Sequence, residues 1–313
     1  MNKIISVTTS CYNEVGNVRL LYERLSNVLK KIPKYDYEII ISDNNSSDGT
    51  QEELRRLALN DKKFKVIFNL INYGHIKSPF NSIKNSNGDC VIAMASDLED
   101  PPELILEFVK KWEQGFKVVA AVRTSSDEPG LTKYIRAFYY FLMDKISETR
   151  QIRNFTGFGL YDREVINQIL KLNDPNPYFR GIVSELGYDI SEVLFKKPYR
   201  KFGISKGRFI SNYDLAVQGI VRFSKFPLRL ASFLGILMSF LSFIFSIYFL
   251  YMKLTDWDGF QAGMIPVILL NLFFFGVLFL ILGLYGEYIY LLSTHIIKTP
   301  ELVEREKINF DLN

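Results

Sequence analysis

The stretch Tyr37-Glu-Ile-Ile-Ile-Ser42, followed by Asp43-Asn-Asn-Ser-Ser-Asp-Gly-Thr50, decides the fold class of this chain. Its first part is a short, apolar and β-branched run, which predicts a buried strand. Its second part is a polar loop that ends at a helix start, where Asp48 is placed to cap the helix. A strand that leads through a polar loop into a helix is typical of an α/β fold.

The same alternation of strand and helix continues along the first 122 residues. Apolar runs predict further strands at 4–9, 64–68, 89–95 and 117–122, and helices begin after each loop between them. This pattern predicts a mostly parallel sheet with helices on both faces. Ligands of such sheets bind beyond the carboxyl ends of the strands, and the acidic loops 43–48 and 97–100 both lie there.

Two long uncharged runs follow this α/β region. Leu230–Tyr251 has 22 residues and Met264–Gly286 has 23, so each helix would span roughly 33 Å, enough to cross a bilayer core. Basic residues flank the pair on both outer sides, whereas the loop 252–263 has one Lys and two Asp. The positive-inside rule therefore places both ends of the pair in the cytoplasm. A buried hairpin of a soluble protein is the alternative.

The chain divides into four predicted regions. Residues 1–212 form a cytoplasmic catalytic domain, and the amphipathic segment 213–228 predicts a helix that lies on the membrane surface. Residues 229–292 hold two transmembrane helices, at about 230–251 and 264–288, and residues 293–313 form a cytoplasmic tail. The N-terminus has no apolar core typical of a signal peptide, so the soluble domain is expected to stay in the cytoplasm. With the two spans, this predicts a multi-pass protein of the inner (plasma) membrane.

Composition excludes some classes of function. The net charge of +4 is mild, so nucleic-acid binding is not predicted. The two cysteines, Cys11 and Cys90, lie in apolar runs and are expected to be buried thiols. The two histidines, His75 and His295, are too far apart in sequence for a histidine-based metal site. The chain has neither a Walker loop nor Gly-x-Gly-x-x-Gly, so P-loop and dinucleotide chemistry are not supported.

The segment Asp97-Leu-Glu-Asp100 is the strongest candidate for chemistry. Asp97 and Glu99 are two residues apart, so an extended segment would point both carboxylates the same way. Such a pair can hold a divalent metal that keeps open positions for phosphate oxygens. Acidic residues are also common at a solvated helix N-terminus, and the tetrapeptide alone does not decide between the two. Asp43 is a second candidate, because a carboxylate there can accept a hydrogen bond from a base or a ribose.

Four sequence blocks resemble the family 2 glycosyltransferases in order and spacing. The closest likeness is to the branch that transfers sugars to polyprenyl phosphates. The blocks are Ser6–Glu14, Ser42–Thr50, Asn72-Tyr73-Gly74 and Ala95–Glu103. The resemblance implies a GT-A, Rossmann-like domain followed by two membrane spans, a divalent cofactor (Mg²⁺ or Mn²⁺) and a nucleotide-sugar donor.

The resemblance also implies roles for individual residues. The donor would be bound by Tyr12, Asn13, Glu14, Asp43, Asn72, Gly74, Ser96, Asp97 and Ser205. The metal would be bound by Asp97 and Glu99. The diphosphate and the acceptor phosphate would meet Arg123, Arg136, Arg200 and Lys206, of which the last two belong to an element resembling Arg-x-x-Gly-x-Ser-Lys. For each arginine, a solvated surface charge is the alternative.

Three positions depart from the family pattern. Ala95 replaces the first Asp of Asp-x-Asp, Asn44 replaces the second Asp of Asp-Asp-Gly-Ser, and Gly157 stands where many relatives carry the Asp of Gly-Asp-Phe. The last change removes a carboxylate often proposed as a base. A phosphate monoester acceptor is largely a dianion at neutral pH, so it needs positioning more than deprotonation. The departure is therefore compatible with a phosphate acceptor.

These features together predict inverting transfer of a sugar from a nucleotide sugar to a membrane polyprenyl phosphate, as part of cell-envelope synthesis. The resemblance alone implies UDP-glucose as the first expected donor and GDP-mannose as the second. Two alternatives stay open: a glycosyltransferase with another lipid acceptor, and a catalytically impaired scaffold that binds nucleotide sugars. Glycines in the apolar runs would allow spans to pack closely, which leaves a homo-oligomer open.

Overall fold

The computed structural model describes residues 3–124, 134, 141, 143, 145–147, 152–174, 177–198, 220–221, 224–255, 264–296 and 302–310. Four predicted site residues lie outside these ranges, namely Arg136, Arg200, Ser205 and Lys206. The predicted surface helix 213–228 also lies largely outside them, and its last three residues form the start of a long helix.

Strands and helices alternate in the order that the first half of the sequence predicts. The strands are β1 (Ile4–Cys11), β2 (Asp36–Asp43), β3 (Phe64–Asn69), β4 (Cys90–Ala93), β5 (Val118–Arg123), β6 (Phe155–Asp162), β7 (Ile190–Phe195) and β8 (Glu304–Ile308). The helices are α1 (Val15–Leu29), α2 (Thr50–Asn60), α3 (Gly74–Lys84), α4 (Ile105–Glu113), α5 (Arg163–Lys171), α6 (Phe179–Glu185), α7 (Phe226–Thr255) and α8 (Met264–Ile296). A short 3₁₀ turn at Pro102–Leu104 precedes α4.

The strands form one sheet in the order β7-β5-β6-β4-β1-β2-β3-β8. Neighbours pair in parallel at β1–β2, β1–β4, β2–β3 and β5–β7, and antiparallel at β3–β8, β4–β6 and β5–β6. The prediction of a mostly parallel sheet is therefore confirmed. The carboxyl ends of β1, β2 and β4 meet at one edge, which is where the polar loops gather.

Two apolar cores cover the two faces of the sheet. One face packs against α1, α2 and α4 through side chains such as Leu21, Leu54 and Phe108. The other packs against α3, α5 and α6 through residues such as Ile83 and Ile166. Helices on both faces are thus confirmed, and both cysteines are buried and free, as expected.

Three strands, β6, β7 and β8, were not predicted from the sequence. The pattern of β7 alternates between buried and exposed residues, and β8 has the charged sequence Glu-Arg-Glu-Lys-Ile, which is typical of an edge strand. β8 comes from the segment 293–313 that was expected to be a tail. Glu306 in β8 forms two 2.6 Å contacts with the guanidinium of Arg55 in α2. Residues 304–308 of this segment are therefore part of the sheet.

Asp48 accepts hydrogen bonds at the starts of both α1 and α2, whereas the sequence predicted it as the cap of α2 alone. Its carboxylate accepts hydrogen bonds from the backbone N–H of Thr50 (3.1 Å) and from that of Val15 (3.3 Å). The N-terminal cap of α2 is Gly49, which has a φ of 95° and no side chain that could cap. Asp48 is thus structural, as expected, but it links α1 to α2.

The helices α7 and α8 are both long and apolar enough to cross a membrane, by length and composition. They extend beyond the predicted spans at 230–251 and 264–288. None of the described side chains in their most apolar segments is buried inside the protein. That exposure does not fit the alternative of a buried hairpin.

Candidate active site

The loop after β2 is built around Asp43, whose side chain is fully buried. Its Oδ2 accepts hydrogen bonds from the backbone N–H of Ser46 (3.1 Å) and from Nε2 of Gln51 (2.8 Å). The Cys11 thiol lies 3.8 Å from Oδ1, and burial, followed by the charge of Asp43, raises the pKa of that thiol. Asp43 therefore lies at the predicted sheet edge and organises the loop from inside.

The loop after β1 is tied to the loop after β2. The backbone N–H of Asn13 donates to Ser46 Oγ at 2.9 Å, and the backbone N–H of Ser47 donates to Asn13 Oδ1 at 2.9 Å. Asn13 adopts a φ of 55°, which asparagine tolerates better than most residues. These bonds link the loop of Asn13 to the loop of Asp43, so the two residues lie near each other.

Asn44 connects the loop after β2 to the loop after β3. Its Oδ1 accepts from Asn69 Nδ2 (3.0 Å) and from the backbone N–H of Tyr73 (3.4 Å), and its Nδ2 donates to the Gly74 carbonyl (3.3 Å). A carboxylate could accept the first two bonds but could not donate the third. This geometry gives a physical reason for the amide at position 44.

The loop after β4 carries the acidic cluster. Asp97 Oδ1 accepts a hydrogen bond from the backbone N–H of Glu99 at 3.1 Å, and Leu98 between them adopts a φ of 63°. Asp100 is buried and accepts from the backbone N–H of Ala95 at 3.0 Å. Burial raises the pKa of Asp100 to about 6, against the opposing effects of that bond and of Arg123.

Glu99 does not stand free beside Asp97. Its Oε2 lies 2.6 Å from Lys197 Nζ and 3.8 Å from Arg123 Nη2. Arg123 Nη2 also lies 3.7 Å from Asp100 Oδ1. Glu99 is thus engaged by two cations, one of which, Lys197, follows the unpredicted strand β7.

Protein groups alone do not build a closed metal cage in the described part of the chain. No group of three or more His, Cys, Asp or Glu side chains there is placed to hold an ion. Mg²⁺ typically takes one or two carboxylates and completes its shell with water and phosphate oxygens. Asp97 at the edge of a cavity fits such an open site.

A cavity of about 360 Å³ lies beside this cluster, within the size range typical of small-ligand sites. Its polar lining includes Ser10, Glu14, His75, Ser96, Asp97, Asp100, Arg123, Thr156 and Arg180. Its apolar lining includes Ile76, Pro79, Phe80, Ile83, Met94, Phe158 and Phe179. The predicted residues Glu14, Ser96, Asp97 and Arg123 therefore meet in one place. Tyr12, Asn13, Asp43, Asn72, Gly74 and Glu99 do not line this cavity.

His75, Asp100 and Arg180 line the cavity but were not among the predicted site residues. Arg180 lies in α6, a helix that the sequence analysis did not predict, so its position could not be inferred. His75 follows directly after the recognised Asn72-Tyr73-Gly74 block, which was the available signal. Desolvation at the cavity wall, and next the positive charge of Arg180, lower the pKa of His75.

Comparison with known proteins decides the family. Residues 6–170 match the family described as Glycosyl transferase family 2. The chain belongs to this family. The matched segment begins in β1 and ends in α5, so it contains the loops after β1, β2, β3 and β4 and most of the cavity wall.

Relatives of this family 2 glycosyl transferase match along nearly its whole length. It is similar to the uncharacterized glycosyltransferase YkcC of Bacillus subtilis (strain 168), with 35% identity over 285 residues that cover 91% of this chain and 88% of that protein. It is similar to the bactoprenol glucosyl transferase of Shigella phage SfV, with 29% identity over 308 residues that cover 97% and 99%.

A solved structure also resembles this chain. It is the glucosyl-3-phosphoglycerate synthase from Mycobacterium tuberculosis in complex with Mn²⁺, uridine-diphosphate and phosphoglyceric acid. The TM-score is 0.49 at 19% identity, over 70% of this chain and 76% of that one.

Proposed function

We propose that this family 2 glycosyl transferase moves a hexose from a nucleotide sugar to a membrane polyprenyl phosphate, with inversion at the anomeric carbon. The observation that carries the proposal is the cavity, where Asp97 faces the same space as the cations Arg123 and Arg180. Two apolar helices in the same chain and the similarity to bactoprenol glucosyl transferases support a lipid acceptor. UDP-glucose is the first proposed donor, followed by GDP-mannose.

Asp97 is the proposed protein ligand of the divalent ion, Mg²⁺ or Mn²⁺. When bound, the ion would neutralise the diphosphate as it leaves. Glu99 stays the predicted second ligand, and its ion pair with Lys197 would have to open for that role. Arg123, held by Glu99 and Asp100, would add positive charge on the same side of the site.

The acceptor phosphate would attack without a protein base. A phosphate monoester is largely a dianion at neutral pH, so its oxygen is already a nucleophile. The protein then has to orient the phosphate and exclude water. Gly157, at the position of a frequently proposed base, agrees with such an acceptor.

The same proposal gives the chain a place in the cell. α7 and α8 would cross the plasma membrane, with the sheet domain and β8 on the cytoplasmic side, where nucleotide sugars are made. The tail segment would then return from the membrane to the sheet edge and hold the domain near the lipid surface.

Transfer of labelled sugar to undecaprenyl phosphate tests the proposal. The full chain in detergent is supplied with UDP-glucose, GDP-mannose or UDP-N-acetylglucosamine, and diacylglycerol serves as the competing acceptor. Chelation of divalent ions should abolish transfer, and Mn²⁺ or Mg²⁺ should restore it. Asp97→Asn should lower kcat/KM about 100-fold or more, since a metal supplies several kcal/mol of charge stabilisation.

Glu23→Gln is the matched control, because Glu23 is an exposed carboxylate paired with Arg19 on α1. It should transfer at the wild-type rate. A wild-type protein that binds a nucleotide sugar but glycosylates no lipid would favour the scaffold. Transfer to diacylglycerol alone would favour the other lipid acceptor. Unchanged turnover by Asp97→Asn would remove the metal role from Asp97.

A further inference from the structure

Arg180 is a cation of the cavity wall without a carboxylate partner in the described part of the chain. Its Nη1 donates to the Phe155 carbonyl at 3.3 Å, and its guanidinium lies 5.4 Å from the centre of the Tyr178 ring. Arg123, which lines the same cavity, is held by Glu99 and Asp100. The two arginines therefore differ, because only Arg123 has its charge countered by neighbouring described residues.

Gly157 lies beside the side chain of Arg180 and adds no side chain of its own there. Gly157 has a φ of 94°, and a Cβ built on it would lie 3.5 Å from Arg180 Cγ. A side chain at position 157 would therefore start beside the stem of Arg180. An aspartate at this position would place a negative charge next to this arginine. In this chain the hydrogen of glycine leaves the guanidinium available to a ligand.

The rest of the cavity suits a phosphate at this wall. Three carboxylates, of Glu14, Asp97 and Asp100, face the same space. Asp100 lies near Arg123, and Asp97 is the proposed metal ligand, so a phosphate bound in this cavity would have both Arg180 and the metal available to it. Desolvation and the charge of Arg180 lower the pKa of His75, which favours its neutral form, and a neutral imidazole can donate a hydrogen bond without adding charge.

We propose that Arg180, exposed to the cavity by Gly157, forms a phosphate-binding subsite of this enzyme. The planar guanidinium can bind two phosphate oxygens with a fixed fork of parallel N–H groups, whereas a lysine ammonium acts as a point charge. The phosphate comes either from the leaving nucleoside diphosphate or from the polyprenyl phosphate acceptor. The inference rests on the proposed function, since both sources belong to the same reaction.

Binding measurements on Arg180→Gln and Arg180→Lys test the subsite without turnover. UDP with Mn²⁺ and a short-chain polyprenyl phosphate are titrated separately into the full-length protein. A hydrogen bond to a charged group contributes about 1.5–3 kcal/mol, so Arg180→Gln should weaken one ligand roughly ten- to a hundred-fold. Arg180→Lys should recover part of that loss. The control Arg56→Gln, on exposed α2 surface, should bind both ligands like wild type.

A second pair of variants isolates the charge at position 157. Gly157→Ala and Gly157→Asp both place a Cβ at a φ of 94°, so both carry backbone strain, and repeating the comparison in an Arg180→Gln background cancels any difference in strain between them. Only Gly157→Asp adds a negative charge beside Arg180, so it should bind phosphate more weakly than Gly157→Ala. In an Arg180→Gln background that difference should disappear. A structural role of Arg180 alone would leave the two variants alike in both backgrounds.

Each result has one meaning. Weaker UDP binding assigns the subsite to the donor, and weaker polyprenyl phosphate binding with unchanged UDP binding assigns it to the acceptor. Wild-type affinity of Arg180→Gln for both ligands overturns the subsite. A wild-type protein that binds both ligands but transfers no sugar overturns the proposed function and leaves the subsite standing.

Discussion

Replacing Glu38 with Gln should destabilise the sheet domain by about 3 kcal/mol at neutral pH. Glu38 is 5% exposed, and its Oε2 lies 2.7 Å from Lys65 Nζ. Its Oε1 accepts hydrogen bonds from Ser6 Oγ (2.5 Å) and from the backbone N–H of Asn87 (2.7 Å). Gln keeps an oxygen for these two bonds but removes the charge that Lys65 needs. Breaking a buried ion pair by removing one partner costs about 3–5 kcal/mol, and the lower end applies because Lys65 is partly exposed.

The stability loss caused by Glu38→Gln should depend on pH. Burial disfavours the charged form of Glu38, but Lys65, Ser6 and Asn87 together lower its pKa below the ordinary value. A lowered pKa means that the stabilisation is complete above about pH 4.5 and is lost as the pH falls through the folded-state pKa. Wild type and Glu38→Gln should therefore differ most at neutral pH and converge in acid.

Urea unfolding of the full chain in detergent measures this difference, with the fluorescence of the buried Trp112 as the signal for the sheet domain. Glu23→Gln is the control, because its exposed pair with Arg19 should contribute less than about 0.5 kcal/mol. Glu38 lies five residues from Asp43 along β2, roughly 16 Å away, so transfer at low temperature should stay at the wild-type rate. A loss at pH 7 no larger than that of Glu23→Gln, or a loss that does not shrink as the pH falls below about 4.5, would refute the reasoning.

Two further substitutions test the packing of the sheet and the loops proposed to bind the donor. Gly159→Ala should lower the free energy of unfolding by roughly 3 kcal/mol or more, because its Cβ would lie 2.3 Å from the Val119 carbonyl oxygen in the paired strand. The control Gly187→Ala has open space around its Cβ and should lower the free energy of unfolding by about 1 kcal/mol in the same assay. Asn44→Asp should weaken UDP binding several-fold, because a carboxylate cannot donate to the Gly74 carbonyl and a lost buried hydrogen bond costs about 1–3 kcal/mol. Calorimetric titration with UDP checks this, and wild-type affinity would contradict the role given to Asn44.

Much of the architecture could be predicted because its signals are local. The strands β1 to β5 appear in the sequence as short β-branched runs, and the helices between them begin after recognisable loops. Once the sheet is mostly parallel, its connectivity places Asp43 and Asp97 beyond the carboxyl ends of their strands. The two apolar helices follow from composition alone. Part of the site could therefore be predicted from the sequence alone.

The sequence by itself determined the α/β fold class, the family blocks around Asp97 and the two apolar helices, because each depends on residues close together in the chain. Only the tertiary structure decided that β6 lies between β4 and β5, that β8 closes the other edge, and that Glu99 pairs with Lys197. It also placed Arg180 beside Gly157 in the cavity wall. These contacts join residues that are distant in sequence, and their partners follow from the strand order, which hydrophobic periodicity does not encode.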